Sequence, residues 1–267
     1  AVSEASRAGS RVWSFDLPPK PGHSGAPKKA MAMATDEFRS ALLRIPAQHR
    51  HAYEVVMPGR PLWTFFDLEC GLSADPLDRD AADNWAQELS SVAVQQVSAL
   101  LARQLPDGGV HAVSTVASDT TRQAKFSRHL VVRAHVRLRP GAPWQPAPMR
   151  SMNDVLGMVM RVASSASSRA SELIDLSVYR ERRCMRTLYS SKLGDAEGAT
   201  KLPRFDRSLL AETADLFGYS LVAPDLAAAP GVFLVELSAT APIVETQQAL
   251  SGRGEQRPPD GRGAVSR

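Results

Sequence analysis

Two acids stand two positions apart in Leu62–Cys70, LWTFFDLEC, a run otherwise made almost wholly of strand-forming aromatic and aliphatic residues. Residues i and i+2 of a strand project to the same face. Asp67 and Glu69 therefore point together, while Phe66 and Leu68 pack on the other side. Two like charges roughly 7 Å apart on an apolar strand repel and are costly to desolvate. A divalent cation removes both penalties, because carboxylate oxygens are hard ligands of the kind Mg²⁺ takes, with water and phosphate oxygens in its other positions. The plainer alternative leaves both acids on the wet end of a strand.

Two further stretches supply complementary groups. In KFSRH, Lys125 to His129, alternation puts Lys125, Ser127 and His129 on one strand face and Phe126, Arg128 and Leu130 on the other. A cation, a hydroxyl and an imidazole in a row can grip phosphate oxygens. The Ser/His pair lacks a nucleophile-elbow pattern, and neighbouring strand positions seldom give triad geometry, which argues against a hydrolase. In DLSVYRERRCMRTLYSSKLG, Asp175 opens a short segment crowded with Arg180, Arg182, Arg183, Arg186 and Lys192. Like charges at that density destabilise a surface unless an anion sits against them. Together the three stretches offer three carboxylates for metal and a basic grip for phosphates, the equipment of two-metal nucleotidyl transfer.

The elements that must position these groups are a mixture of strands and helices. Ala52–Val56 and Leu62–Glu69 read as strands separated by MPGR, a Pro-Gly turn signal, which predicts a hairpin. Leu77–Leu105 has Trp85, Leu89, Val92, Val97, Leu100 and Leu101 near helical spacing, with Pro106 and Gly108 to end it. Leu130–Leu138 predicts another strand. Ser151 and Asp154 form a capping-box start for a helix expected to run to about Ile174. Short strands over Ile174–Tyr179 and Arg186–Ser190, then a helix near Arg207–Phe217, complete the pattern. Residues 1 to about 30 and 251–267, rich in Ser, Pro, Gly and basic residues, are expected to be flexible, leaving 31–250 as the core.

Bulk properties narrow the classes. The 267 residues are 43% apolar and 22% charged, enough for one large domain or two packed lobes. No apolar run reaches the roughly 18 residues of a membrane span, and two distant cysteines favour a reducing compartment over a disulfide framework or zinc site. Charge is uneven: Thr120–Lys192 holds 14 Lys or Arg against 4 Asp or Glu, so with a total of +4 the remainder is about six units negative. Such a field suits a polyanionic partner.

FDLE, KFSRH and DLSVYRERRCMRTLYSSK, in this order and spacing, resemble the primase-polymerase (PrimPol) branch of the archaeo-eukaryotic primase superfamily. The likeness extends to HAYEVV, with Tyr53 lying 14 residues ahead of the first acid, and to TDEF, so that it spans roughly Met31 to Gly194. It implies an α+β fold of the primase-type catalytic core, an RRM-like sheet packed on a second α/β lobe with the acids between them. It implies that Asp67, Glu69 and Asp175 bind two Mg²⁺ or Mn²⁺ ions. Lys125, Ser127, His129, Arg186 and Lys192 would contact the incoming triphosphate with Arg183 close by, and Tyr53 would lie near the sugar and favour deoxynucleotides. The implied activity is DNA-directed primase and polymerase chemistry in lesion bypass or replication restart, in the nucleus or the mitochondrion. Template-primer DNA, deoxynucleoside triphosphates and a single-stranded DNA-binding protein are the implied partners. Three departures stand out: the region between Phe15 and Met31 is shorter than the family's corresponding part, a family arginine is replaced at best by Lys28 or Lys29, and the family's Cys/His zinc module, which supports priming from scratch, has no counterpart. A replicative primase small subunit making RNA primers and a non-catalytic nucleic-acid-binding relative are the competing expectations.

Overall fold

Hydrogen-bond partners drawn from distant parts of the chain organise this molecule into two antiparallel sheets. A computed structural model describes residues 10–17, 27–73, 76–180, 182–193, 202–204, 216–226 and 231–237. These all lie in the unit ending at Leu237. Their elements are β1 (Arg11–Asp16), β2 (Lys28–Met33), α1 (Thr35–Arg44), β3 (Ala52–Val55), β4 (Thr64–Gly71), α2 (Pro76–Gln104), β5 (Val110–Asp119), β6 (Lys125–Arg137), β7 (Gln145–Pro146), α3 (Met152–Ser165), α4 (Ser168–Ser171), β8 (Cys184–Arg186), β9 (Leu202–Arg204) and α5 (Leu216–Tyr219). The first sheet has the order β2-β1-β3-β8 and the second β4-β6-β5-β9, with β7 beside β6. The class is α+β.

The second sheet is built on β6, whose 13 residues pair with β4 on one side and β5 on the other. Its even-numbered residues turn Phe126, Leu130, Val132, Ala134 and Val136 inward. With Phe66 and Leu68 of β4 they meet Ala82, Ala86, Leu89, Ala93, Val97 and Leu101 of α2 and Val155, Met158, Val159 and Val162 of α3 in one hydrophobic cluster. The expected long helix is present as α2, and Trp85 and Val92 flank its buried stripe rather than filling it. Small alanines at the centre let the helix approach the sheet closely. Ser151 caps α3 as expected, its hydroxyl accepting from Asp154 N–H at 3.2 Å. The helix stops at Ser165, well short of Ile174. The Ser164 and Ser165 hydroxyls donate back to the carbonyls of Met160 and Arg161, which loosens the last turn. Ser167 then restarts the chain as α4, held by Glu88 of α2.

The first sheet corrects the expectation of a flexible segment over residues 1–30. Arg11–Asp16 forms the strand β1, paired with both β2 and β3. Trp13 is fully buried and stacks on Phe38 of α1 at 3.8 Å, with Phe217 of α5 against both. The short alternation RVWSFD was hidden by its Ser- and Pro-rich flanks, yet burying one indole contributes about 3 kcal/mol, enough to hold a six-residue strand in place. Arg11 and Glu54 add a buried ion pair at 2.8 Å, and the Glu54 carboxylate also accepts from Val222 and Ala223 N–H. Those bonds fasten the 220–223 segment to β3.

The expected hairpin of Ala52–Val56 with Leu62–Glu69 does not form. Gly59, at φ +69, does make the Pro-Gly turn, but β3 bonds to β1 and β8 while β4 bonds to β6. Val56 and Leu62, at the two ends of the turn, bond to Arg183 and Met149 respectively. The turn is therefore the link between sheets. Ile174–Tyr179 is likewise not a strand: Ile174 makes an isolated bridge to Leu68, and Leu176–Val178 is a 3₁₀ turn. The strand expected at Arg186–Ser190 lies earlier, at Cys184–Arg186, and Ser190 N–H closes a turn on Thr187 instead. Of the helix expected at Arg207–Phe217, only Leu216 and Phe217 lie within the described residues, where they open the short helix Leu216–Tyr219. The 251–267 tail lies outside them.

Candidate active site

Cross-strand register is what assembles the first half of the site. Antiparallel pairing sets Asp67 opposite His129, Glu69 opposite Ser127 and Gly71 opposite Lys125, and directly opposed residues share a face. His129 Nε2 lies 3.4 Å from Asp67 Oδ1, and Lys125 Nζ donates to Glu69 Oε2 at 2.6 Å. Ser127 Oγ reaches Glu69 Oε1 at 3.5 Å and receives a hydrogen bond from Thr120 Oγ1 at 3.0 Å. The expected pairing of acids with the Lys-Ser-His row is thus a consequence of register. Asp67 is buried at 8% exposure, whereas Glu69 is half-open to solvent.

Asp175 reaches the same place from the loop that follows α4. Its backbone N–H donates to the Asp67 carbonyl at 2.8 Å, and Glu69 N–H donates to Leu173 O at 2.7 Å. The carboxylate caps the 3₁₀ turn, accepting from Ser177 N–H at 2.9 Å and from Ser177 Oγ at 3.0 Å. Asp175, distant in sequence, is so brought beside Asp67 and Glu69 of β4. The same loop packs Tyr179 on Phe65, its hydroxyl donating to Phe65 O at 2.9 Å.

Apart from Lys125, the cations come from the first sheet and the segments flanking β8. Arg186 of β8 pairs with Tyr53 of β3. Burial lowers the Arg186 pKa, aided by the like charge of Arg122, while Tyr53, Asp67 and Glu69 pull it back up. Tyr53 donates to Asp16 Oδ2 at 2.6 Å, and Lys28 lies 3.7 Å over its ring while pairing with the same Asp16. Burial first, then the Asp16 carboxylate, pushes the phenol pKa well above its ordinary value. Tyr53 therefore stays a protonated donor, fixed in orientation. Arg182, in the left-handed region at φ 60, and Arg183 are anchored through Val56, the one donating its N–H to Val56 O and the other accepting from Val56 N–H. Ser191 N–H on Arg50 O anchors the chain just before Lys192.

A cleft of about 500 Å³ is lined by all ten residues to which the family resemblance assigns a role: Tyr53, Asp67, Glu69, Lys125, Ser127, His129, Asp175, Arg183, Arg186 and Lys192, whereas Arg180 of the basic segment lies outside it. Lys28, Arg182, Cys184 and Met185 complete its wall. Of the two lysines weighed as replacements for the family arginine, Lys28 is the one that faces the cleft. A second hollow of about 300 Å³ adjoins it through Glu69, Lys125, Ser127, Arg186 and Lys192, and adds Thr120 and Arg122. Sequence reasoning missed those two. The signal available was their position at the start of the turn into KFSRH, where Arg122 N–H closes on Lys125 O.

Among the described residues no three His, Cys, Asp or Glu side chains stand close enough together, as placed, to hold a metal ion. Glu69 is turned to Lys125 and Asp175 to Ser177. Each carboxylate oxygen keeps a second lone pair, so these bonds orient the acids without exhausting them. Both cysteines are free, and no helix among the described residues is long and apolar enough to cross a membrane. No known protein-family model matches the chain, and no curated protein sequence matches it.

Proposed function

We propose that this chain is a nucleotidyltransferase, a DNA-directed primase-polymerase that adds deoxynucleotides to a primer 3′ hydroxyl, built on a primase-type catalytic core. The observation that carries this reading is the β4–β6 register with Asp175 bonded to the Asp67 backbone, which collects three carboxylates beside a wall of Lys and Arg. The fold adds support. β4, α2, β5, β6 and α3 follow in that order, the spatial order is β4, β6, β5, and the single bridge of Ile174 to Leu68 lies on the free side of β4, an order compatible with the βαββαβ plan of an RRM-like sheet whose last strand is reduced to that bridge. The lobe that would pack against it corresponds to the first sheet with α1 and α5.

The donor set fits hard divalent ions, being oxygen only and drawn from three acids, and Asp67, Glu69 and Asp175 would hold two Mg²⁺ or Mn²⁺. Such ions, when bound, lower the pKa of an attacking hydroxyl and neutralise charge on departing pyrophosphate. The remaining work falls to the chain. Lys125, Arg186 and Lys192 would bind the triphosphate oxygens, with Ser127 as a hydroxyl donor, His129 shared between phosphate and Asp67, and Arg183 beside them. Arg186, desolvated beside Arg122, is a guanidinium whose environment favours an anionic partner. Tyr53, its hydroxyl tied to Asp16, would present a fixed ring edge to the sugar and disfavour a 2′ hydroxyl. Positioning and fixed charge, rather than a protein base, supply the barrier reduction.

Metal-dependent incorporation of a labelled deoxynucleotide on a primed template tests this directly. The double variant Asp67→Ala with Glu69→Ala should lose extension by at least roughly 10³-fold while still binding the template-primer. Extension that persists in that variant, or a wild-type chain that incorporates nothing with either Mg²⁺ or Mn²⁺, would reject the assignment.

A further inference from the structure

We propose that the end of the β6 face away from the cleft, formed by Arg133, His135 and Arg137 with Trp144, is a docking platform for single-stranded nucleic acid. Alternation puts these β6 residues on the same side of the sheet as Lys125, Ser127 and His129, and roughly 26 Å of strand separates His129 from Arg137. Tyr179, stacked on Phe65 at 5.2 Å, roofs the middle of that face. The platform is therefore a surface separate from the cleft.

Its chemistry is basic and aromatic together. Arg133 lies over the Trp63 ring at 5.1 Å, His135 meets the same indole at 5.6 Å, and Arg137 lies over Trp144 at 4.7 Å. Trp144 is 38% exposed, so part of its ring stays open beside the guanidinium. Arg137 forms no ion pair with a described residue, whereas Arg128 on the opposite face has two carboxylates. From Arg133 to Arg150 the chain contains four arginines and no acid. The β5 residue facing Arg137 is Val110, which brings no negative charge. His135 is held below its ordinary pKa by burial and by Arg133, so at neutral pH it offers a ring rather than a charge. Cations interleaved with a half-open indole suit stacked bases linked by phosphates. An acidic peptide would use the cations and leave the indole unexplained.

The choice of nucleic acid rests on the polymerase reading, but its test does not. Fluorescence anisotropy of a labelled oligo(dT) with the full chain, without metal or nucleotide, over a salt series reads binding apart from catalysis, and variants confined to the platform read its share. Trp144→Ala should weaken binding roughly tenfold, the loss of about one base stack. Val110→Glu, at an exposed position opposite Arg137, should weaken it similarly by giving that arginine a carboxylate, without touching the core. Arg137→Gln should lower the slope of log affinity against log salt by about one. Unchanged affinity in both Trp144→Ala and Val110→Glu would remove the platform and leave the cleft standing. Equal displacement of the oligonucleotide by polyglutamate would replace it with a surface for an acidic protein. Failure of metal-dependent incorporation would instead remove the polymerase reading and leave the measured binding in place.

Discussion

The two faces of β6 carry similar ion pairs with opposite consequences. On the inner face, Arg128 is 8% exposed, bonds Asp83 of α2 and, at 3.0 Å, Asp119 of β5, and lies over the Phe126 ring at 4.7 Å. On the outer face, three residues away, Lys125 pairs with Glu69 at 2.6 Å, but the two side chains are 49% and 34% exposed. The inner pair joins helix to sheet. The outer pair joins a cation and an anion in partial contact with solvent, and under the proposed function it is a resting arrangement that metal and phosphate would replace. On the proposed function, one strand thus separates charge spent on stability from charge held in reserve for a ligand, and alternation makes the separation.

The largest test of that contrast is Arg128→Met. Removing one member of a buried pair leaves the others desolvated and unmatched. Because Asp83 and Asp119 retain some exposure, the expected loss is about 3 kcal/mol, near the low end for buried pairs, and corresponds to a melting temperature lower by roughly 6–12 °C. A fall under about 2 °C in thermal unfolding would erase the distinction between the faces.

The pH dependence of unfolding gives a smaller effect with a definite sign. Burial pushes the Asp119 carboxyl upward, but hydrogen bonds from Thr121 and Arg128 outweigh it and hold the group below its ordinary value. A pKa depressed in the folded state contributes stability that is fully present above the unfolded value, near about 4. That contribution is lost as pH falls through the folded value. Urea midpoints taken from pH 6 down to pH 3 should therefore fall less steeply in Asp119→Asn than in the parent chain. Parallel curves would show that Arg128 is not matched to Asp119 in solution.

These charges were unevenly legible in the sequence. Alternation through KFSRH was enough to put Lys125, Ser127 and His129 on one face, because a continuous strand leaves no other choice. That Glu69 would stand opposite Ser127 depends on register, which is set by packing against α2 and α3 and is silent in a local window. Asp175 was visible only as an acid near arginines. Its arrival beside Asp67 depends on a single bridge, Ile174 to Leu68, that carries no pattern of its own. The false hairpin at MPGR and the missed strand at Arg11–Asp16 share one cause: local turn chemistry and composition were read where bonds to residues far along the chain decide. Thr120 and Arg122 escaped notice because a turn has no periodicity to mark which of its side chains face inward.

The smallest effect on stability comes from Lys125→Gln, and it sharpens the comparison most. An ion pair this exposed is worth about 0–1 kcal/mol, so unfolding should move by no more than about 0.5 kcal/mol, far less than for Arg128→Met. Ligand binding should move much more, and in two directions. Losing the ammonium frees Glu69 Oε2 and removes a positive charge beside the acids, so Mn²⁺ titrated into the chain by calorimetry should bind several-fold tighter. The same loss takes a charge-assisted donor from the phosphate wall, so the KM for the incoming nucleotide should rise roughly tenfold. A residue that only tethered Glu69 would change metal affinity and leave the nucleotide KM in place. Tighter metal with weaker nucleotide at nearly constant stability is the pattern of a charge kept in reserve, and a change in stability alone would place Lys125 with Arg128 among the structural ions.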